Sequence, residues 1–337
     1  MALDAEFAPT QRARLPHTRD PAARGGNDAS PLPRGRRLRP LVRAAAAAAL
    51  VLAVAACSSL RLGYNNADTL ALYTLDRYFD LDDAQEQLAR ERVRALLGWH
   101  RRTQLADYAQ VLDAAQRRLD ASPATPLTAA DVLDLQGELN ARLMTVGRKA
   151  APDLALLARS LSDAQMAHFT DKLAAENAKL RKEREQAARR GNGSAEVLNA
   201  ERIRRSLERA RDWLGPLTRE QEDLVREAAL RRPDGEQRWL EERERRQRAL
   251  VAVLERIRAG QLAPEAGAAL LNDFFDELAA PSAAERHAAV QTAREANARL
   301  IAQLLNRATL EQRTALLKRL RGYTEDFTVL AADGARS

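Results

Sequence analysis

Four adjacent residues carry side chains that could bind an anion or a lipid headgroup. They are Trp99, His100, Arg101 and Arg102. Guanidinium groups form paired hydrogen bonds with phosphates and carboxylates, and imidazole changes charge near neutral pH. The alternative is that Trp99 belongs to the core or to a subunit contact, and that the other three residues form a solvated helix face.

The sequence lacks the local motifs of the common enzyme classes. It has no G-x-S-x-G elbow, no glycine-rich phosphate loop and no H-E-x-x-H pair. Asp80, Asp82 and Asp83 lie close together, but they lack the loop of oxygen ligands that Ca²⁺ requires, and helix capping explains them more simply. We therefore expect no enzyme, no cofactor and no metal site, with an undetected hydrolase as the remaining enzymatic alternative.

Cys57 is the only cysteine of the chain, so it cannot form an internal disulfide. An arginine-rich stretch, Arg34 to Arg43, and an apolar run, Ala44 to Ala53, precede it, and Val54-Ala55-Ala56 follows them directly. Charged, apolar and small residues follow one another in this order in a secretory signal. A membrane-spanning helix needs about 20 apolar residues, and this apolar run is shorter. We predict cleavage between Ala56 and Cys57.

The stretch from Val54 to Cys57 resembles the bacterial lipobox, in which an aliphatic residue and two small ones precede the lipidated cysteine. The resemblance implies diacylglycerol on the thiol of Cys57, followed by acylation, and two or three chains anchor a protein stably. Ser58 and Ser59 follow without an adjacent Asp, as in Gram-negative lipoproteins sorted to the outer membrane. We expect a lipid anchor there with the rest of the chain facing the periplasm. The alternative is a chance or buried Cys after an alanine-rich core helix.

Composition and charge favour a helical, nearly neutral mature protein. Hydrophobic residues make up 45% and charged residues 30% of the 337 residues, and aromatic residues make up 4%. Residues 57–337 hold 45 Lys and Arg against 43 Asp and Glu, interleaved as on a solvated helix surface. We therefore predict an all-α, elongated bundle of eight to ten helices in antiparallel hairpins, without a sheet and without a nucleic-acid partner.

Four segments are predicted along the chain. Residues 1–33 form a disordered extension that lies before the true start of translation. Residues 34–56 form the signal, and residues 57–66 form a lipidated tether. Residues 67–332 form the helical domain, in two halves that meet near residues 191–194. Asn66 is predicted to cap the first helix, and Pro152 to bend or interrupt the path after the third. The predicted helices run from Asn66 to Asp80, Asp83 to Leu119, Thr128 to Arg148, Asp163 to Arg190, Ala195 to Leu214, Arg219 to Leu230, Glu236 to Ala259, Pro264 to Leu278, Ser282 to Asn306 and Glu311 to Leu330.

A local pattern recurs at four predicted helix starts. Each has Asp, Ser or Thr at the cap and Gln three positions later, the arrangement of a capping box. The pattern ends at Gln85, Gln165, Gln221 and Gln312, and the spacings of 80, 56 and 91 residues are too irregular for a solenoid. The boxes are ordinary helix caps or degenerate LTxxQ motifs. The second alternative resembles the periplasmic helical chaperones Spy and CpxP, which hold unfolded clients on a concave surface.

From Arg61 onward the sequence also resembles an uncharacterised family of proteobacterial lipoproteins, classed as a domain of unknown function. The resemblance is carried by Leu62, Tyr64-Asn65-Asn66, Leu72-Tyr73, the stretch from Leu75 to Leu81, Gln85, the stretch from Trp99 to Arg102, Asp212-Trp213, Arg238-Trp239-Leu240, the stretch from Arg319 to Tyr323, and Asp326. It implies no activity. The candidate interaction surface comprises Tyr64, Asn65, Asn66, Tyr73, Tyr78, Trp99, His100, Arg101 and Arg102.

These observations together predict a binding protein of the cell envelope. It would hold a protein client or an envelope component in grooves between its long helices. The alternative is a structural or accessory subunit of an outer-membrane assembly. The sequence leaves the partner and the oligomeric state open.

Overall fold

The computed structural model describes residues 60–190, 195–231 and 235–334, and all regular structure within them is helical. Residues 60–65 are helical, and eleven longer helices follow. The all-α prediction is confirmed. The eleven helices are α1 (Ala67–Phe79), α2 (Asp83–Thr103), α3 (Leu105–Asp120), α4 (Ala129–Ser160), α5 (Asp163–Arg190), α6 (Ala195–Leu214), α7 (Arg219–Leu230), α8 (Gly235–Ala259), α9 (Pro264–Ala279), α10 (Ala284–Asn306) and α11 (Leu310–Gly334).

Two predicted helices differ from the structure by more than their end residues. The helix predicted to continue from Asp83 to Leu119 is divided at Gln104, whose φ of −108° departs from the helical value. The helix predicted to end at Arg148 continues through Pro152 to the end of α4. Proline removes one helical hydrogen bond, but Ala151 and Ala155 on either side of Pro152 are buried in the core. Tertiary packing therefore outweighs the local preference of proline.

All four predicted capping boxes are present. At the start of α2 the Asp82 carboxylate accepts from the Gln85 amide at 2.8 Å, and the Gln85 side chain accepts from the Asp82 amide at 3.1 Å. The same reciprocal hydrogen bonds form at the starts of α5, α7 and α11. Asn66 directly precedes α1, but the side-chain cap predicted there is wrong. The Asn66 side chain donates to the Leu62 carbonyl and makes no cap hydrogen bond to α1.

The glutamines of these boxes are buried and form two pairs. Gln85 Nε2 donates to Gln165 Oε1 at 3.1 Å, and Gln165 Nε2 donates to Gln85 Oε1 at 2.5 Å. Gln221 and Gln312 exchange the same two hydrogen bonds at 2.9 and 3.0 Å. Each pair therefore joins the starts of two helices that are far apart in sequence, α2 with α5 and α7 with α11.

Two clusters of buried apolar residues form the core. The first is built by α4, α5, α8 and α9 around Leu271 and Ile257. The second is built by α3, α4, α6, α7, α10 and α11 around Val225 and Ala298. Because α4 supplies Val132 to the second cluster and later residues to the first, this helix connects the two. Helix α11 packs along α3 and α2, which places the C-terminal half of α11 beside residues 60–66.

Candidate functional site at the N-terminal junction

Residues 60–66 connect to α1 without a free linker. The Asn66 amide donates to the Leu62 carbonyl at 3.2 Å, and the Leu70 amide donates to the Asn66 carbonyl at 3.1 Å. These two hydrogen bonds span the turn at Asn66, whose φ of −107° and ψ of 13° depart from the helical values. The part of the predicted tether that the structure describes is helical and contacts the helical body. Cys57 and the predicted cleavage site after Ala56 lie outside the described residues.

Tyr64 holds this segment against α2. Its hydroxyl lies 2.8 Å from His100 Nδ1, and the two rings are stacked with centroids 5.8 Å apart. The Arg101 guanidinium lies 5.2 Å from the centre of the Tyr64 ring and donates to Asn65 Oδ1 at 2.9 Å. Four of the predicted surface residues therefore meet at one place, although two of them lie more than 30 residues before the others in the sequence.

An aromatic series continues from His100 into the body. The His100 and Tyr108 ring centroids are 5.6 Å apart, and those of Tyr108 and Phe327 are 5.7 Å apart. Trp99 lies on the other side of His100 at 6.4 Å, and Lys149 Nζ is 5.9 Å from the Trp99 ring centre. The junction thereby joins residues 60–66 to α2, α3 and α11.

Burial shifts the pKa values of the aromatic side chains in the junction toward their uncharged forms. Desolvation lowers the pKa of His100 below its ordinary value, which favours the uncharged imidazole. Burial raises the pKa of Tyr64 and of Tyr108, and the nearby Arg101 guanidinium opposes the rise for Tyr64. Both shifts favour the neutral forms of the phenol and the imidazole that share one hydrogen bond there, and this contact fastens two segments of the chain.

An ion pair between a partly exposed arginine and a buried aspartate lies beside this aromatic series. Arg61 Nε is 2.7 Å from Asp326 Oδ1, and Asp326 is 1% exposed. Its second oxygen, Oδ2, is buried without a hydrogen-bond partner. Burial raises the pKa of Asp326, and the positive charge of Arg61 counteracts this rise. The pair ties residues 60–66 to the C-terminal half of α11.

The other predicted surface residues lie elsewhere or face solvent. The Tyr78 hydroxyl donates to the Glu176 carboxylate at 2.8 and 3.0 Å, and its ring meets Phe169 edge-on. Tyr73, Asn66 and Arg102 are exposed. The predicted surface therefore divides into a half-buried junction, a separate contact between α1 and α5, and an exposed remainder.

Sequence reasoning missed Arg61, Tyr108, Asp326 and Phe327 as members of the junction. Their partners lie on distant helices, and only packing brings them together. Asp326 carried one usable signal, an acidic residue inside the apolar pattern of the last helix. Among the described residues, no cluster of three or more His, Cys, Asp or Glu side chains is placed to hold a metal ion.

A groove between α5 and α8 is a second candidate site, with about 390 Å³ of space. Its floor is apolar and its rim is polar. The buried Asn177 donates from Nδ2 to Gln247 Oε1 at 2.6 Å, and at the rim Arg181 is paired with Glu244. The lining residues are Thr170, Leu173, Ala174, Asn177, Arg181, Glu244, Gln247, Arg248, Val251 and Ala252. This arrangement of apolar floor and polar rim suits a peptide or an amphipathic helix.

Comparison with known proteins gives one family match. A model described as a family of unknown function, DUF6279, matches residues 77–273. This range contains the whole groove between α5 and α8, and also His100 and Arg101, whereas Tyr64 and Asp326 lie outside it. No curated protein matches the chain, and no solved structure matches it. Across the part of the chain that the structure describes, no helix is long and apolar enough to span a bilayer.

Proposed function

This chain belongs to DUF6279, a family of unknown function, and we propose that it is a lipid-anchored protein of the bacterial envelope that binds a protein client through its helical body. In this proposal Cys57 is lipidated after cleavage behind Ala56. The anchor lies in the outer membrane and the body faces the periplasm. The role is binding, without catalysis, a cofactor or a nucleic-acid partner.

The observation that carries the anchor is the position of Cys57. It directly follows the charged, apolar and small-residue pattern of an export signal. Only four residues later, Arg61 forms an ion pair with Asp326 of the helical body. Growth with labelled palmitate is expected to label the protein. A Cys57→Ser variant should lose both the label and its fractionation with the outer membrane, and an unlabelled protein whose fractionation survives this change would refute the anchor.

The groove between α5 and α8 supports the binding role. Leu173 and Val251 form part of its floor and also pack against the first core cluster. Neighbouring side chains hold one polar residue of the lining in place, since Arg243 Nε donates to Asn177 Oδ1 at 3.2 Å and Arg243 Nη2 donates to Glu176 Oε2 at the same distance. A groove whose lining is already held in place can accept an apolar segment without first reorganising. The paired capping boxes add the LTxxQ-like pattern of the chaperones Spy and CpxP as a weaker support.

Two small residues of the groove allow a direct test. Ala174 and Ala252 line it and are exposed, so Glu can replace either without entering the core. The chain from Ser58 onward is expected to suppress aggregation of an unfolded model protein. A joint Ala174→Glu and Ala252→Glu variant should weaken client affinity by at least about tenfold, because an apolar client would bury unpaired carboxylates. Ala175→Glu, on an exposed neighbour that does not line the groove, is the matched control.

The alternative role, a subunit of an outer-membrane assembly, predicts a different result. Cross-linking in the native envelope followed by pull-down would then recover fixed partners in near-constant ratio. Aggregation suppression would be absent, and the Ala174 and Ala252 variants would behave like the Ala175 control. A mixture of many clients, reduced by the groove variants, supports the binding role.

A further inference from the structure

Three exposed apolar side chains lie on the N-terminal segment and α1. Leu62, Leu70 and Tyr73 expose 67%, 58% and 64% of their surface. Among the described residues, only Leu310, at 82%, exposes a larger fraction of a large hydrophobic side chain. Clustered exposure of this kind marks an interaction surface, whereas a single exposed apolar residue is ordinary.

The spacing of these residues places two of them on one face of α1. Leu70 lies four residues after Asn66, and Tyr73 three residues after Leu70, and residues three and four apart share one face of a helix. Leu62 lies four residues before the turn at Asn66, whose φ of −107° and ψ of 13° depart from the helical values. We call Leu62, Asn66, Leu70 and Tyr73 the outer row.

The row is fixed in orientation and carries no charge of its own. Tyr64 and Arg61, on the inner side, fasten the segment to His100 and Asp326. Asp76 and Arg77 follow Tyr73 by three and four residues and border the row on α1, and Arg77 is paired with Glu176. The apolar row is thus presented outward by a segment that cannot swing freely.

The position of the row in the chain identifies what covers it. Leu62 lies five residues after Cys57, and five residues span at most about 18 Å. A membrane that holds residue 57 must therefore lie within about that distance of Leu62, the first residue of the row. The same limit applies if the apolar run before Cys57 remains in the bilayer.

We infer that Leu62, Leu70 and Tyr73 insert into the phospholipid surface that holds residue 57, so that the body sits on the membrane in a fixed orientation. This inference rests on the proposed lipid anchor. Apolar helix faces bind at the headgroup boundary, and tyrosine is enriched there because its ring is apolar and its hydroxyl is polar.

Nitroxide labels on single introduced cysteines test the inference in the lipidated full protein. In that protein the Cys57 thiol carries lipid, so Leu62→Cys, Leu70→Cys or Tyr73→Cys supplies the free thiol, and Leu310→Cys is the exposed control. The protein is reconstituted in vesicles of phosphatidylethanolamine and phosphatidylglycerol. Each label's collision rate with oxygen, which concentrates in lipid, is compared with its collision rate with a water-soluble nickel complex. We expect this ratio of oxygen to nickel collisions to be several-fold higher for the three row labels than for the Leu310 label.

Three outcomes overturn the inference, and they are distinguishable. If palmitate labels the protein but the row labels match the Leu310 label, the inference fails and the anchor stands. If the row labels are shielded from both reagents, and the single labels of two protein copies broaden each other's spectra by dipolar coupling, a second copy of the chain covers the row. If palmitate does not label the protein, the proposed anchor fails, and the inference fails with it.

Discussion

Gln85 and Gln221 are equivalent residues in two separate parts of the fold. Each caps its own helix and exchanges two side-chain hydrogen bonds with a second capping glutamine. Each also donates to the backbone carbonyl five residues before its partner, Gln85 to Ser160 at 2.9 Å and Gln221 to Arg307 at 3.1 Å. The partners return the same bond, to Asp80 and Pro216. The two pairs thus repeat one arrangement, and each holds the starts of two helices together.

Replacing Gln85 by Met should strongly destabilise the fold. The change keeps the side-chain size but leaves buried acceptors and donors of Gln165, Asp82 and Ser160 unsatisfied. We expect a loss of about 2–4 kcal/mol in the free energy of unfolding, measured by urea denaturation. Gln87→Met on the exposed face of the same helix is the control and should change stability by less than about 0.5 kcal/mol. Equal effects of the two changes would contradict the structural role of the pair.

The Gln221 and Gln312 pair should show strong coupling. Either single change to Met leaves the other amide without its partner, whereas the double change removes both buried amides together. The double variant is therefore expected to lose less stability than the two single losses added, by about 1–2 kcal/mol. A double-mutant cycle by urea unfolding measures this difference. Additive losses would show that the two side chains act independently.

The sequence predicted the helices and their caps better than it predicted the contacts between them. A capping box is a local feature, so Asp82 with Gln85 and Thr218 with Gln221 were readable from spacing alone. The partner of each glutamine was not readable, because Gln165 and Gln312 become neighbours only after distant helices pack. Pro152 shows the opposite limit, since burial of the alanines beside it overrides a local signal.

The candidate site was predicted in part for the same reason. His100 and Arg101 were selected by side-chain type and Tyr64 through the family resemblance, and the structure places the three together. Tyr78 was also selected through the resemblance, yet it pairs with Glu176 on another helix. Side-chain type indicates which residues can form polar contacts, but only the fold determines whether they share a site.

The close approach of α4 and α9 gives a prediction at Gly267. A Cβ atom at this position would lie 2.7 Å from the Ala155 Cβ, so one of the two helices must move. We expect Gly267→Ala to destabilise the fold by about 1–3 kcal/mol in thermal or urea unfolding. Gly137→Ala, at a position in α4 with no neighbour within 4 Å of the new atom, should stabilise it by about 0.5–1 kcal/mol. The same sign for both changes would be incompatible with this packing.

The contact between Glu176 and Tyr78 should fasten α1 to the body. Tyr78→Phe removes the hydrogen bond that the hydroxyl donates to the two oxygens of the Glu176 carboxylate, and it keeps the ring contact with Phe169. We expect a loss of about 1–2 kcal/mol and faster hydrogen exchange of the α1 amides, with the exchange of α9 amides unchanged. Tyr73→Phe, which alters an exposed hydroxyl on the same helix, is the control. Uniformly faster exchange in both helices would indicate a global effect and no specific fastening of α1.

His100 should make the stability of the junction depend on pH. Burial lowers its pKa in the folded state below the ordinary value of 6.5, so the unfolded chain binds the proton more readily. The free energy of unfolding should therefore fall as the pH decreases through the ordinary value and below it, and rise again as the pH returns to neutral. His100→Phe keeps a ring against Tyr64 and Tyr108 but cannot titrate. It should cost about 1 kcal/mol near neutral pH through the lost hydrogen bond and reduce the dependence of the unfolding free energy on pH.

Urea unfolding of the wild-type protein and the variant at a series of pH values measures both effects. His287→Gln, at an exposed ring on α10, is the control for loss of an imidazole. If this change reduces the pH dependence of stability as much as His100→Phe does, the junction is not the source of that dependence.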